Sequence, residues 1–162
     1  MAHNEFENPK DLQAIDELYK RWCKAWLSFP DISLMLSCFD QNFDPYLIYQ
    51  AEENPSGLST YKEIESYWHN AHNLLEKVTD WTEQKKSVSL LSPTAAILWI
   101  EVMTALKTTV LAEQLSGKIR VSMGVRKSDR GWKIVHYHES RQLMADQDSA
   151  GKFRFYVDLT IK

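Results

Sequence analysis

Cysteine is scarce: Cys23 and Cys38 are the only two in 162 residues. A disulfide-dense scaffold is therefore excluded, and both positions fall on the apolar faces of expected helices. They read as small buried hydrophobes in a reducing cytoplasm. No run of about 18 apolar residues is present, so no membrane-spanning helix is expected. The opening Met-Ala-His-Asn-Glu-Phe-Glu has neither a basic region nor an apolar stretch, and no secretory signal is expected there. The net charge of −3 lacks the basic excess that marks nucleic-acid binding. Repeats, low-complexity tracts and interdomain linkers are also missing. What remains is one cytoplasmic domain over 1–162, long enough to bury its own core without metal or disulfide.

Aromatic residues are what the chain has in quantity, at 12% with six Trp. Each buries a large area, and aromatics fill cores more often than they line ligand pockets. Asn8, Pro9 and Asp11 form a helix start: a cap, a residue suited to the first turn and a charge favoured by the dipole. Leu12, Ile15, Leu18, Tyr19, Trp22 and Trp26 follow at helical spacing up to Pro30. Asp31 starts a short second helix through about Phe39, and Thr60 with Glu63 makes a capping box for a third. The buried face of that third helix is expected to carry Ile64, Tyr67, Trp68, Ala71 and Leu74/Leu75.

Beyond Val78 the period falls to two. Strands are expected at Trp81–Leu91, Thr94–Lys107, Ile119–Lys127 and Trp132–Arg141, after a short one at Tyr46–Gln50. Phe153, Phe155, Val157, Leu159 and Ile161 alternate with polar residues, which predicts an added strand in a C-terminal extension, 142–162. Helices followed by antiparallel strands are the α+β pattern. The expected architecture is a curved antiparallel sheet on three N-terminal helices, a cone with a central pocket and a core of about 9–141.

The last hairpin carries the candidate chemistry. A three-residue loop, Asp129-Arg130-Gly131, with glycine in the left-handed conformation would pair Ser128 with Trp132 and Arg126 with Ile134. Gly124 would then face His136, Ser122 would face His138, and Arg120 would face Ser140, all on one side of the sheet. The placement depends on that register, because a slip of one residue sends side chains to the opposite face.

The run Arg120-Val-Ser122-Met-Gly124-Val-Arg126-Lys127-Ser-Asp129-Arg-Gly131-Trp132-Lys-Ile134-Val-His136-Tyr-His138-Glu-Ser140 resembles the closing hairpin of SnoaL-like proteins. They belong to the nuclear transport factor 2-like superfamily, with ketosteroid isomerases, scytalone dehydratases, polyketide cyclases and the association domain of calcium/calmodulin-dependent protein kinase II. The resemblance extends over roughly Leu12 to Arg141. The chain departs from the family pattern in placing Gly131 directly before Trp132, and Tyr137 where an acidic residue is common.

The resemblance implies either an isomerase, dehydratase or cyclase working on a hydrophobic carbonyl compound, or a non-catalytic binding or assembly module. In the first case His138 and His136 would be base or acid, and Arg120 with Ser122 would steady oxyanion charge. In the second the two imidazoles would only tie strand to helix. Pocket walls are expected from Trp22, Trp26, Tyr49, Tyr67, Trp68 and Trp132, each of which would otherwise be plain core. Glu101 is a carboxylate of raised pKa if its face is buried and a surface residue if it is not. His-x-His brings no third or fourth ligand, so neither metal nor cofactor is expected. The expected partners are a small apolar molecule and a second subunit in a homodimer. That subunit would cover the outer face of the sheet, since Ile97, Trp99 and Met103 alternate with Leu98, Ile100 and Val102 on one strand.

Overall fold

The computed structural model describes residues 8–29, 31–42, 48–50, 57–109 and 114–143. Helix α1 (Pro9–Leu27) begins as its sequence directs: Asn8 Oδ1 accepts from the Lys10 amide at 3.0 Å, and Pro9 opens the first turn. Helix α2 (Ile32–Leu36) is capped by Asp31, whose carboxylate accepts from the Leu34 amide, and it stops three residues before Phe39. Helix α3 (Tyr61–Ala71) carries the complete Thr60–Glu63 capping box. It ends at Ala71, so Leu74 and Leu75 leave the helix and Leu75 opens a strand.

The strands are β1 (Ile48–Gln50), β2 (Leu75–Ser92), β3 (Ala95–Thr108), β4 (Leu115–Ser128) and β5 (Gly131–Leu143). They form one sheet in the order β1-β5-β4-β3-β2. Strands β2 to β5 run antiparallel as consecutive hairpins, while β1 lies parallel to β5. Four register shifts between β2 and β3 and one between β4 and β5 bend and coil the strands. The α+β architecture is therefore as the helix-then-strand pattern predicts. The extra strand expected at Phe153–Ile161 falls outside the described residues.

The three helices and the inner face of the sheet share one hydrophobic core. Ile15, Leu18 and Trp22 of α1 and Ile64 and Trp68 of α3 meet Leu98, Ile100, Val102, Val121 and Met123 of the sheet. Both cysteines are free. Cys38 is buried, which pushes its thiol up to about 11, and Cys23 is half-buried with its thiol pushed up for the same reason. No helix of the described residues is long and apolar enough to cross a membrane.

Candidate functional site

The closing hairpin differs from the expected one at its tip. Ser128 pairs with Gly131, so the loop is the two residues Asp129 and Arg130. Gly131 is left-handed, at φ 86°, a conformation its missing Cβ makes affordable without strain. Lys127 then faces Trp132 and Val125 faces Ile134, replacing the expected Ser128–Trp132 and Arg126–Ile134 pairs. One position further on, a bulge leaves Val135 without a partner in β4. From there Gly124 meets His136, Ser122 meets His138 and Arg120 meets Ser140, as expected.

Because strand side chains alternate, the bulge reverses which residues face the helices. Trp132 and Ile134 are buried beneath them, as expected. Past Val135 the inner positions are taken by Tyr137 and Glu139, both buried, while His136 and His138 are exposed on the outer face. The Tyr137 ring lies 6.0 Å from Trp22 and 6.3 Å from Phe39, which fixes the direction it points. The expected convergence of His136, His138, Arg120 and Ser122 on the interior is thus corrected. The four are neighbours, but on the side of the sheet away from the helices.

Glu101 belongs to that outer face. It pairs with Arg120 across β3 and β4, accepts from Arg120 Nε at 3.1 Å and lies 3.0 Å from Lys118 Nζ. Lys118, then Arg120, holds its carboxyl below the usual glutamate range, the reverse of the raised pKa considered for a pocket carboxylate. The His136 imidazole is pushed down by desolvation and by His138 beside it.

Inside, the expected pocket residues divide. Trp22, Trp26 and Trp68 converge with Trp81 into a contiguous cluster: ring centroids are 5.1 Å apart for Trp22–Trp81, 5.1 Å for Trp26–Trp68 and 5.6 Å for Trp26–Trp81. Tyr67 stands half-buried at its edge, 5.3 Å from Trp68. Tyr49 pairs with Tyr137 through the backbone. Trp132 is held elsewhere, its Nε1 donating to Asp11 Oδ1 at 3.0 Å. Lys127 Nζ reaches the same oxygen at 2.6 Å, and the lysine and the indole together keep Asp11 below the ordinary aspartate range.

A polar set not singled out in the sequence lies on this inner side. Tyr137 donates its hydroxyl to Glu139 Oε2 at 2.6 Å. Arg141 Nη2 stands 3.8 Å from Glu139 Oε1, and its Nη1 donates to Thr104 Oγ1 at 3.2 Å. Arg141 and Thr104 sit toward the end of the sheet where β3 passes to β4. The signal available in the sequence was the odd-numbered series Tyr137, Glu139, Arg141, a phenol, an acid and a base on one face of a strand. Among the described residues no group of three or more His, Cys, Asp and Glu is placed to hold a metal ion.

The SnoaL-like domain model matches residues 15–146. The chain belongs to the SnoaL-like family. No curated protein matches its sequence. Among solved structures, this SnoaL-like chain is similar to a protein from Novosphingobium aromaticivorans with a proposed aromatic ring hydroxylase assignment. The TM-score is 0.72 at 16% identity, over 85% of this chain and 94% of that one. A proposed scytalone dehydratase from the same organism gives 0.70 at 12% identity, over 83% and 85%. A ketosteroid isomerase-like protein from Erwinia carotovora atroseptica gives 0.70 at 14%, over 83% and 98%. At such identities the likeness is one of fold, the nuclear transport factor 2-like and ketosteroid isomerase-like arrangement of helices on a curved sheet.

Proposed function

We propose that this SnoaL-like protein binds a small, largely apolar carbonyl compound and moves a proton on it, as an isomerase, dehydratase or cyclase does. The observation that carries the reading is the buried Tyr137–Glu139 pair, held on the helix side of β5 beside the tryptophan cluster. Glu139 supplies a base, Tyr137 a donor for the oxygen on which charge develops, and Arg141 a cation beside them. Nε1 of Trp22 and of Trp26 is buried without an acceptor among the described residues, which favours a ligand bearing an acceptor oxygen. The names of the two neighbours called dehydratase and isomerase-like point the same way. His136, His138, Arg120 and Ser122 take no step here, because the sheet lies between them and the tryptophans.

A panel of cyclic and aryl ketones in D2O, followed by NMR, tests this. The protein should accelerate exchange of α-protons on at least one ketone that also quenches its tryptophan fluorescence. Glu139→Gln should bind that ketone while exchange falls by about 100-fold or more. A protein that quenches with some ketones and exchanges none would be a binding module, the second reading.

Assembly is a separate proposal. On the outer face Ile97 is 44% exposed, and Trp99 and Met103 are half-buried around the Glu101 ion cluster. A second copy laid on this face would make the homodimer, and light scattering at micromolar concentration should give twice the chain mass.

A further inference from the structure

Trp81 stands at the surface end of the tryptophan cluster. It is half-buried and, with Tyr19, Cys23 and Leu27, walls a groove between α1 and β2. From there the rings continue inward without a gap. Trp22 lies 5.1 Å from Trp81, and Trp26 lies 5.6 Å from it, centroid to centroid. Trp22 is in turn 6.0 Å from Tyr137, whose hydroxyl donates to Glu139 Oε2 at 2.6 Å. Trp22 and Tyr137 are both fully buried. Aromatic packing accounts for the contacts themselves. It does not account for their ending on a phenol that has its own base.

We propose that this row of rings is an electron relay, which carries oxidising equivalents from the groove to Tyr137 and holds them there as a phenoxyl radical. The electron acceptor is a small one-electron oxidant of the inorganic-radical class, such as carbonate or azide radical. It takes one electron from Trp81 and leaves as its anion, and Trp81 becomes a radical cation. Trp81 recovers its electron from Trp22, and Trp22 from Tyr137. In the last step the phenolic O–H bond of Tyr137 breaks, its proton passing to Glu139 while its electron passes to Trp22. The net change is one oxidant reduced, Tyr137 oxidised to the neutral radical and Glu139 protonated. A thiolate or ascorbate anion closes the cycle by supplying one electron, and Glu139 gives the proton back.

Two features favour transfer in this direction. Nε1 of Trp22 is buried with no acceptor among the described residues, so its radical cation keeps the N–H proton and remains a strong oxidant. Tyr137 gives up an electron readily only when its proton leaves as well, and the Glu139 carboxylate stands within hydrogen-bond reach to take it. Tyr19, 6.2 Å from Trp22 on the groove side, is the competing end of the row. The relay needs no bound ketone, so its failure and that of the proton-transfer reading are separate results.

Azide radicals generated by pulse radiolysis test the relay on the full chain. Tryptophan-radical absorption should decay as tyrosyl absorption grows, at a first-order rate that is independent of protein concentration and slower in D2O. Tyr137→Phe should abolish that phase, and Glu139→Gln should slow it by about 100-fold. Tyr19→Phe and Trp99→Phe, the second on the outer face of the sheet, should leave its rate unchanged. Tyrosyl growth that survives Tyr137→Phe would overturn the relay, as would growth lost in Tyr19→Phe or a rate that scales with protein concentration. Should Tyr137→Phe fail to fold, Trp22→Phe takes its place, since it leaves the phenol–carboxylate pair intact. That variant should remove the same phase, and an unchanged rate would equally sink the idea.

Discussion

The inner and outer faces of β5 are drawn from adjacent residues and meet different surroundings. Trp132, Ile134, Tyr137 and Glu139 are buried against the helices, whereas His136, His138 and Ser140 are exposed on the far side. The most chemically suggestive residues of the sequence, two histidines with an arginine and a serine opposite, landed on the accessible face. A tyrosine and a glutamate took the enclosed one. The cause is a single residue, Val135, which has no partner in β4 and shifts the alternation by one position. A bulge therefore acts as a switch of side, choosing which half of a strand the helices cover.

Removing the switch is the strongest way to break the comparison. Deleting Val135 together with His136 would remove the bulge and advance the rest of β5 by one position, turning Tyr137 and Glu139 out and carrying His138 inward. Burying an imidazole where a satisfied phenol–carboxylate pair now sits should abolish the cooperative thermal transition followed by circular dichroism. A deletion variant that melts within a few degrees of the parent would mean that the bulge does not set the faces.

Trp22→Ala tests the inner face alone. Trp22 is fully buried and touches Tyr19, Trp26, Trp81 and Tyr137, so truncation should cost about 3–5 kcal/mol in urea unfolding. The smallest effect is expected outside. His136→Ala should change stability at pH 8 by no more than about 0.5 kcal/mol, as is usual for surface positions. Its signature is in the pH dependence. Because the His136 pKa is lowered on folding, its neutral form is favoured in the native state. Its contribution is complete above the ordinary histidine range near 6.5 and shrinks as pH falls through the lowered value. His136→Ala should therefore flatten the loss of stability just below pH 6.5, and an unchanged slope in urea melts at several pH values would count against the assignment.

Much of the fold could be read from residues with one strong local preference. Asn8 with Pro9, and Thr60 with Glu63, start helices because their side chains satisfy first-turn amides, and the structure has both. The expected three-residue loop led to the Gly124–His136, Ser122–His138 and Arg120–Ser140 pairs, which hold because the shorter loop and the bulge at Val135 offset one another. The side those pairs face was not legible. Val135 lies between Ile134 and His136 with no glycine or proline to announce a bulge. What secures Ile134 comes from far away in the chain: its amide donates to the Cys38 carbonyl at 2.8 Å, and its carbonyl accepts from the Asp40 amide at 3.0 Å. Beside the β4 ladder, the tertiary pairing of that segment with β5 holds the strand there. The start of β2 at Leu75 was hidden for a related reason, since Glu76, Lys77, Thr79 and Asp80 are exposed and give no apolar alternation.

The Asp11 carboxylate has a consequence for the order in which the molecule assembles. It joins the first turn of α1 to Lys127 and Trp132, partners 116 and 121 positions later in the chain. During synthesis α1 leaves the ribosome well before the hairpin that locks its first turn. Trp22 and Trp26 can meet Trp81 of β2 earlier, but until β4 and β5 have paired, the first turn of α1 lacks the Lys127 and Trp132 that fix it. Closing so long a loop is an entropic cost that precedes most of its reward. Folding should therefore be gated by the closing hairpin, and a nascent chain stalled before Gly131 would present its tryptophans to chaperones rather than to a core.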